Sequence, residues 1–154
     1  MCFICTFFNQ NTFIFMQQLT QRYLNHLTYE IIGAAIDVHK ELGPGLLEQV
    51  YESCLTYELQ RRRFKISSQQ VVPIQYKGFL LEASLSYDLL VEESILVQLK
   101  AVEKMQPVYE AQLITYMQLL EKPKGILFNF NCTNIFKEGQ KTLVNEIYRA
   151  LPKM

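Results

Sequence analysis

Charge of one sign is not in excess anywhere in the bulk composition: 15 lysines and arginines stand against 15 aspartates and glutamates, for a formal net charge of zero. That disfavours a protein held on nucleic acid or membrane by bulk charge and leaves only local patches to meet a polyanion. Cysteines are few, at four, and they lack metal-ligand spacing. Cys2 and Cys5 form a C-x-x-C, but Cys54 and Cys132 supply no second close pair to complete a zinc site. Free thiols in a reducing cytoplasm are the expected state. Internal repeats, low-complexity linkers and any sign of a second domain are also missing, and 154 residues suit one domain with a real core.

The first fifteen residues, MCFICTFFNQNTFIF, lack the basic start and small-residue cleavage site of a signal peptide. Their apolar stretch is broken by Asn9-Gln10-Asn11 and falls short of the roughly 20 residues needed to span a bilayer, so no membrane role is expected. A polar lead-in follows Met16. The expectation is a start at Met16, with residues 1–15 an extension and residues 16–154 a single domain; an extra edge strand is the alternative.

What is present reads as two helices, several strands, a third helix, a strand and a short last element. Ile31, Ile32, Ala35, Ile36, Val38, His39 and Leu42 fall at spacings of a mostly buried helix over Thr28–Leu42, which Gly43-Pro44-Gly45 ends. A second helix is expected from about Leu46 to Arg62, with Leu47, Val50, Tyr51, Cys54, Leu55 and Leu59 inward. FKI and VVPIQYKGFLLEASL read as β-structure with a hairpin turn at Tyr76–Phe79 and Pro73 at an edge. Pro107 suits the first turn of a third helix reaching about Glu121. ILFNF is a short buried strand, and TLVNEIY is open between strand and helix. The fold class is therefore α/β, bordering α+β, with a mixed sheet flanked by helices.

One strand breaks its own pattern. In ILVQLKAV, side chains two apart share a face, so Ile95, Val97, Leu99 and Ala101 oppose Leu96, Gln98, Lys100 and Val102. With a turn near Glu92–Ser94, Asp88 falls across from Gln98, and cross-strand Cβ atoms approach to about 4.5–5.5 Å. A carboxylate, an amide oxygen and an ammonium then share a patch suited to Mg²⁺, which takes oxygen ligands and keeps several waters. The plain alternative is a strand-end lysine reaching solvent beside a neutral glutamine. Glu48 sits in the first turn of the second helix, where the helix dipole alone accounts for it. Gln112 and Tyr116, four apart, share a helix face. Arg61, Arg62, Arg63 and Lys65 read as a solvated helix end. His39 reads as a satisfied core or boundary histidine, and Asn129 and Asn131 as closing a strand end.

Taken together, GPGLLEQVYESCLTYEL, YDLLVEESILVQLKAVEKMQPVYEAQLITYMQLL and GILFNFN resemble the GxxExxY family, whose name is spelled by Gly45, Glu48 and Tyr51. That family is placed in the PD-(D/E)XK nuclease superfamily, and the Gln112/Tyr116 helix is similar to that of RecB-like nucleases. The resemblance runs from about Leu27 to Lys141. It implies a restriction-endonuclease-like core and a nuclease hydrolysing phosphodiester bonds in DNA or RNA with one or two Mg²⁺ or Mn²⁺ ions. It further implies Asp88, Gln98 and the Leu99 carbonyl as metal ligands, Lys100 as the residue positioning the nucleophile, and Glu48, Gln112 and Tyr116 as the accompanying site residues. Glu48 then supplies missing charge or holds a metal-bound water. One position departs: residue 98 is Gln where the family usually has Glu, which removes a full charge from the ligand set. The alternative function is a nuclease fold without turnover, serving as a nucleic-acid-binding or protein-interaction module.

Overall fold

The computed structural model describes residues 19–81 and 85–154. The expectation for residues 1–15 and a start at Met16 lies outside the described residues. Helix α1 spans Gln21–Leu42, and Thr20 caps it by accepting the Tyr23 amide at 3.1 Å. The helix thus begins at Gln21 rather than Thr28, and Leu24 and Leu27 extend its buried stripe. Gly43, at φ 68, ends it.

Helix α2 spans Glu48–Arg61. Its inward face is Tyr51, Leu55 and Leu59, at i, i+4 and i+8. Leu47 is its exposed N-cap and Val50 is also exposed, so both leave the expected inward stripe. The helix starts only at Glu48, and the rotation that buries Tyr51 turns its neighbours outward.

The strands are β1 Ile66–Ser68, β2 Ile74–Tyr76, β3 Phe79–Leu81, β4 Leu89–Val91, β5 Ile95–Lys100, β6 Lys124–Asn129 and β7 Gln140–Val144. Five of them form a mixed sheet in the order β1-β4-β5-β6-β7, parallel only between β5 and β6. Helix α3, Pro107–Leu119, makes that parallel crossover with Pro107 in its first turn. β2 and β3 pair only with each other, as an arm apart from the main sheet. The ambiguous TLVNEIY is both things in turn: β7 ends at Val144, Asn145 caps the next helix, and α4 runs over Glu146–Ala150.

Each sheet face has its own core. Leu24, Leu27, Ile31, Ala34 and Ala35 of α1 and Tyr51, Leu55 and Leu59 of α2 pack on Leu89, Val91, Ile95, Val97 and Leu99. Leu113, Tyr116 and Met117 of α3 pack on Leu90, Leu96 and Leu127 from the other side. The result is a helix–sheet–helix sandwich in which β5, buried on both faces, occupies the middle.

The β4–β5 turn places Glu92 and Glu93 at φ 50 and 55, and the Ser94 amide closes it on the Val91 carbonyl at 3.0 Å. The loop is three residues long, Glu92–Ser94, and its two consecutive left-handed residues supply the twist of the flanking strands. The resulting register pairs Leu89 with Val97 and therefore sets Asp88 opposite Gln98.

Candidate active site

The site lies where β4 and β5 part. Their pairing ends at Leu89–Val97, and the Tyr87 amide turns away to the Gln70 carbonyl. The Leu99 amide is left facing the gap, and the Asp88 Oδ2 accepts it at 2.8 Å. Within a strand the N–H and C=O of one residue lie on the same edge, so the Leu99 carbonyl faces that gap too. Strand alternation assigns Asp88 to the face of Leu90, the face that Gln98 and Lys100 share on β5.

Gln98 is 5% exposed, and its Oε1 is fully buried with no hydrogen-bond partner among the described residues. An orphaned buried oxygen is costly, roughly 1–3 kcal/mol, and calls for an explanation. Lys100, two residues on, is half-buried and holds its ammonium 4.9 Å from the centre of the Tyr109 ring on α3. Further along α3, Gln112 Nε2 donates to the Tyr116 hydroxyl at 2.9 Å, and Tyr116 packs in the same core as Leu96. Tyr109, Gln112 and Tyr116, at i, i+3 and i+7, share one face of α3, with Tyr109 beside Lys100 and Tyr116 in the core with Leu96.

From the opposite face comes the N-terminus of α2. Tyr51, fully buried and stacked on Phe130 at 4.5 Å, donates its hydroxyl to the Gly43 carbonyl at 2.5 Å and accepts the Leu46 amide at 3.1 Å. Between those contacts Gly45 takes φ 101, a conformation open in practice to glycine. The Gly-x-x-Glu-x-x-Tyr spacing is thereby explained locally. The glycine makes the turn, the tyrosine bolts it, and Glu48 between them becomes the first residue of the helix.

The charges interact across the end of the sheet. Burial pushes the Asp88 carboxyl up to about 6; the Leu99 amide opposes this, Glu52 and Glu48 add to it, and Lys100 partly offsets it. Burial also raises the Glu48 carboxyl, with Lys100 lowering it and Glu52 raising it. Three carboxylates therefore answer to one ammonium. Such a set, with an unpaired amide oxygen alongside, fits a hard divalent cation. Asp88, Gln98 and Leu99 would hold it as oxygen donors, with Glu48 and Glu52 contributing field. Among the described residues no three acidic, imidazole or thiol groups form a ready cage.

Glu52 and Gln69 were not foreseen. Glu52 follows Glu48 by one helical turn, and that i,i+4 spacing was the available signal. Gln69 carried none. It takes φ 51, donates its amide to the Asp88 carbonyl at 3.1 Å, and gives its side-chain Nε2 to both Glu52 oxygens at 2.8 and 2.9 Å.

The remaining polar candidates resolve structurally. Asn129 exchanges hydrogen bonds with the Val102 amide and carbonyl, closing the strand end. The His39 Nε2 meets the Cys132 carbonyl at 2.9 Å. Arg62 is tied to Glu30, Asp37 and Glu58. No helix among the described residues is long and apolar enough to cross a membrane.

Residues 25–143 match the family model described as the PD-(D/E)XK nuclease superfamily. No curated protein and no solved structure matches the chain.

Proposed function

The chain belongs to the PD-(D/E)XK nuclease superfamily, and from that premise we propose that it is a Mg²⁺- or Mn²⁺-dependent phosphodiesterase acting on DNA or RNA. The observation that carries this reading is the half-buried Asp88 carboxylate at the parting of two strands, opposite the unpaired Gln98 oxygen and within the field of Lys100. When bound, a divalent cation supplies Lewis-acid polarisation of the phosphate and a more acidic water.

The protein's own part is positional and electrostatic. Asp88, fixed by the Leu99 amide, contributes the one charged ligand, and Gln98 and the Leu99 carbonyl contribute neutral oxygens. Lys100 orients the attacking water and offsets charge developing on the phosphate. Glu48 orients further water from the helix side. Gln112 and Tyr116 brace the α3 face against β5. We assign the chain to the GxxExxY type with a RecB-like downstream helix, on the quoted motifs.

The test is incubation of purified protein with Mg²⁺ or Mn²⁺ and end-labelled single- and double-stranded DNA and RNA, against Asp88→Asn and Lys100→Ala. Metal-dependent cleavage lost in both variants is the expected result. The neutral Gln98 favours a second reading, a module that binds nucleic acid without turnover. Binding that weakens with salt, with no cleavage of any substrate, is its signature.

A further inference from the structure

Gln98 leaves the site one negative charge short on β5, while α2 carries an acid that the sequence pattern had not singled out. Glu52 stands one turn after Glu48 on the helix whose N-terminus approaches the strand gap. It is half-buried, and Gln69 links it to the peptide of Asp88: one glutamine donates its side chain to Glu52 and its backbone amide to the Asp88 carbonyl. Independently, Gln98, 5% exposed and opposite Asp88 in the strand register, holds an oxygen, Oε1, with no partner among the described residues. Asp88 is the residue common to both, since its carbonyl accepts the Gln69 amide and the strand register sets it opposite Gln98. Lys100 shares the face of Gln98, yet its charge acts on Glu48 as well as on Asp88.

We propose that Glu52 supplies to the cation site the anionic charge that Gln98 does not, so that the second acid of the site has moved from strand β5 to helix α2. Glu52 acts through its field and through water held by the cation, with Gln69 fixing the direction of its carboxylate. A hard cation that keeps several waters accepts charge from such a distance, whereas a cage of direct carboxylates is not needed. The neutral Gln98 oxygen then completes the inner ligand set without excess negative charge. The proposal rests on the metal-dependent reading of the site.

The test is a charge-transfer cycle read by calorimetric titration with MnCl₂ and with MgCl₂, on the full chain. The proteins are wild type, Glu52→Gln, Gln98→Glu and the double variant. Glu52→Gln keeps an oxygen for Gln69 but loses the charge, and its Mn²⁺ affinity is expected to fall about tenfold or more. Adding Gln98→Glu to it should restore affinity to within about threefold of wild type, a rescue that a merely structural role for Glu52 does not produce. Gln69→Ala, which frees the carboxylate but keeps its charge, should weaken binding less than Glu52→Gln does. Thermal unfolding of each apo variant verifies that all are folded. Wild-type affinity in Glu52→Gln, or no rescue by Gln98→Glu, overturns the inference while leaving the metal site standing. A folded wild type that binds neither ion overturns the metal reading and this inference with it.

Discussion

The Tyr51 hydroxyl donates to the carbonyl of Gly43 at 2.5 Å, across eight residues that include the entire turn into α2. The same oxygen accepts the Leu46 amide, while the ring stacks on Phe130. A single fully buried side chain thus joins the loop, the helix and the central sheet, and the direction in which Glu48 leaves the backbone depends on it.

Tyr51→Phe keeps the ring stack and deletes both loop hydrogen bonds. Two backbone groups lose their partner, so the variant should be less stable by about 1–3 kcal/mol. Urea unfolding at pH 7 measures this. Cleavage should fall by a larger factor than the stability loss explains under conditions where the variant is fully folded, because Glu48 no longer has a fixed origin.

Asp88 gives the site a pH signature. Its carboxyl ionises near pH 6 in the folded chain against 3.8 for the ordinary group. Between those values the folded state holds a proton that the unfolded state has released, so this group lowers stability as pH rises from about 4 to 6. Asp88→Asn should match wild type near pH 3.5 and exceed it above pH 7 by about 2 kcal/mol, allowing for the part of the group that water still reaches. Millimolar Mg²⁺ should narrow the gap by stabilising the ionised wild type. Equal stability of the two proteins at pH 7.5 without metal would contradict the assignment.

Much of the β4–β5 arrangement could be read from residues 86–103 alone, because period-two alternation and an acidic turn specify both face and register. The opposition of Asp88 and Gln98 follows from those two facts. Glu52 and Gln69 were less accessible for different reasons. The first is hidden in a helix whose early apolar residues, Leu47 and Val50, point outward and misdirect the stripe. The second acts through a left-handed backbone and a contact across 17 residues, which no local pattern encodes. The start of α1 was misplaced because its first turn is mixed in polarity, although Thr20 carried the capping signal.

Helix α3 approaches β6 too closely for a side chain at Gly125. An added Cβ meets Met117 Sδ at 2.8 Å and Leu113 Cγ at 3.0 Å. Gly125→Ala should therefore cost about 1–3 kcal/mol through overpacking. It should also shift α3, which carries Tyr109 and Gln112, so activity and the near-ultraviolet tyrosine signal should change together. A variant with unchanged unfolding midpoint and spectrum would show that α3 can move without consequence.

Lys124 is a cation at the other end of the sheet, 4% exposed. Its ammonium donates to Asn25 Oδ1 at 2.7 Å and lies 5.1 Å from the centre of the Tyr148 ring. Burial lowers its pKa to about 8 from 10.5. Across that window the unfolded chain keeps a proton that the folded chain has lost, so this group adds stability as pH rises from 8 to 10.5. Lys124→Met removes the titration. Its stability relative to wild type should be most favourable below pH 8 and decline toward pH 10, as measured by urea unfolding at both values.

The last residues return to the first helix. The Gln21 amide donates to the Pro152 carbonyl at 2.8 Å, and the Gln21 side chain donates to the carbonyls of Tyr148 and Leu151. The described polypeptide is therefore nearly a closed ring, with its sewn ends on the side of α1 and α4. A short peptide bridge from the residues after Pro152 to Leu19 adds little loop-closure cost. New ends can then be opened between Lys77 and Gly78, at the tip of the β2–β3 arm, where both residues are exposed. Such a permuted chain should fold to the same sandwich with its chemistry in place. The order of the segments along the chain is then separable from the arrangement that brings Asp88, Gln98 and Lys100 together.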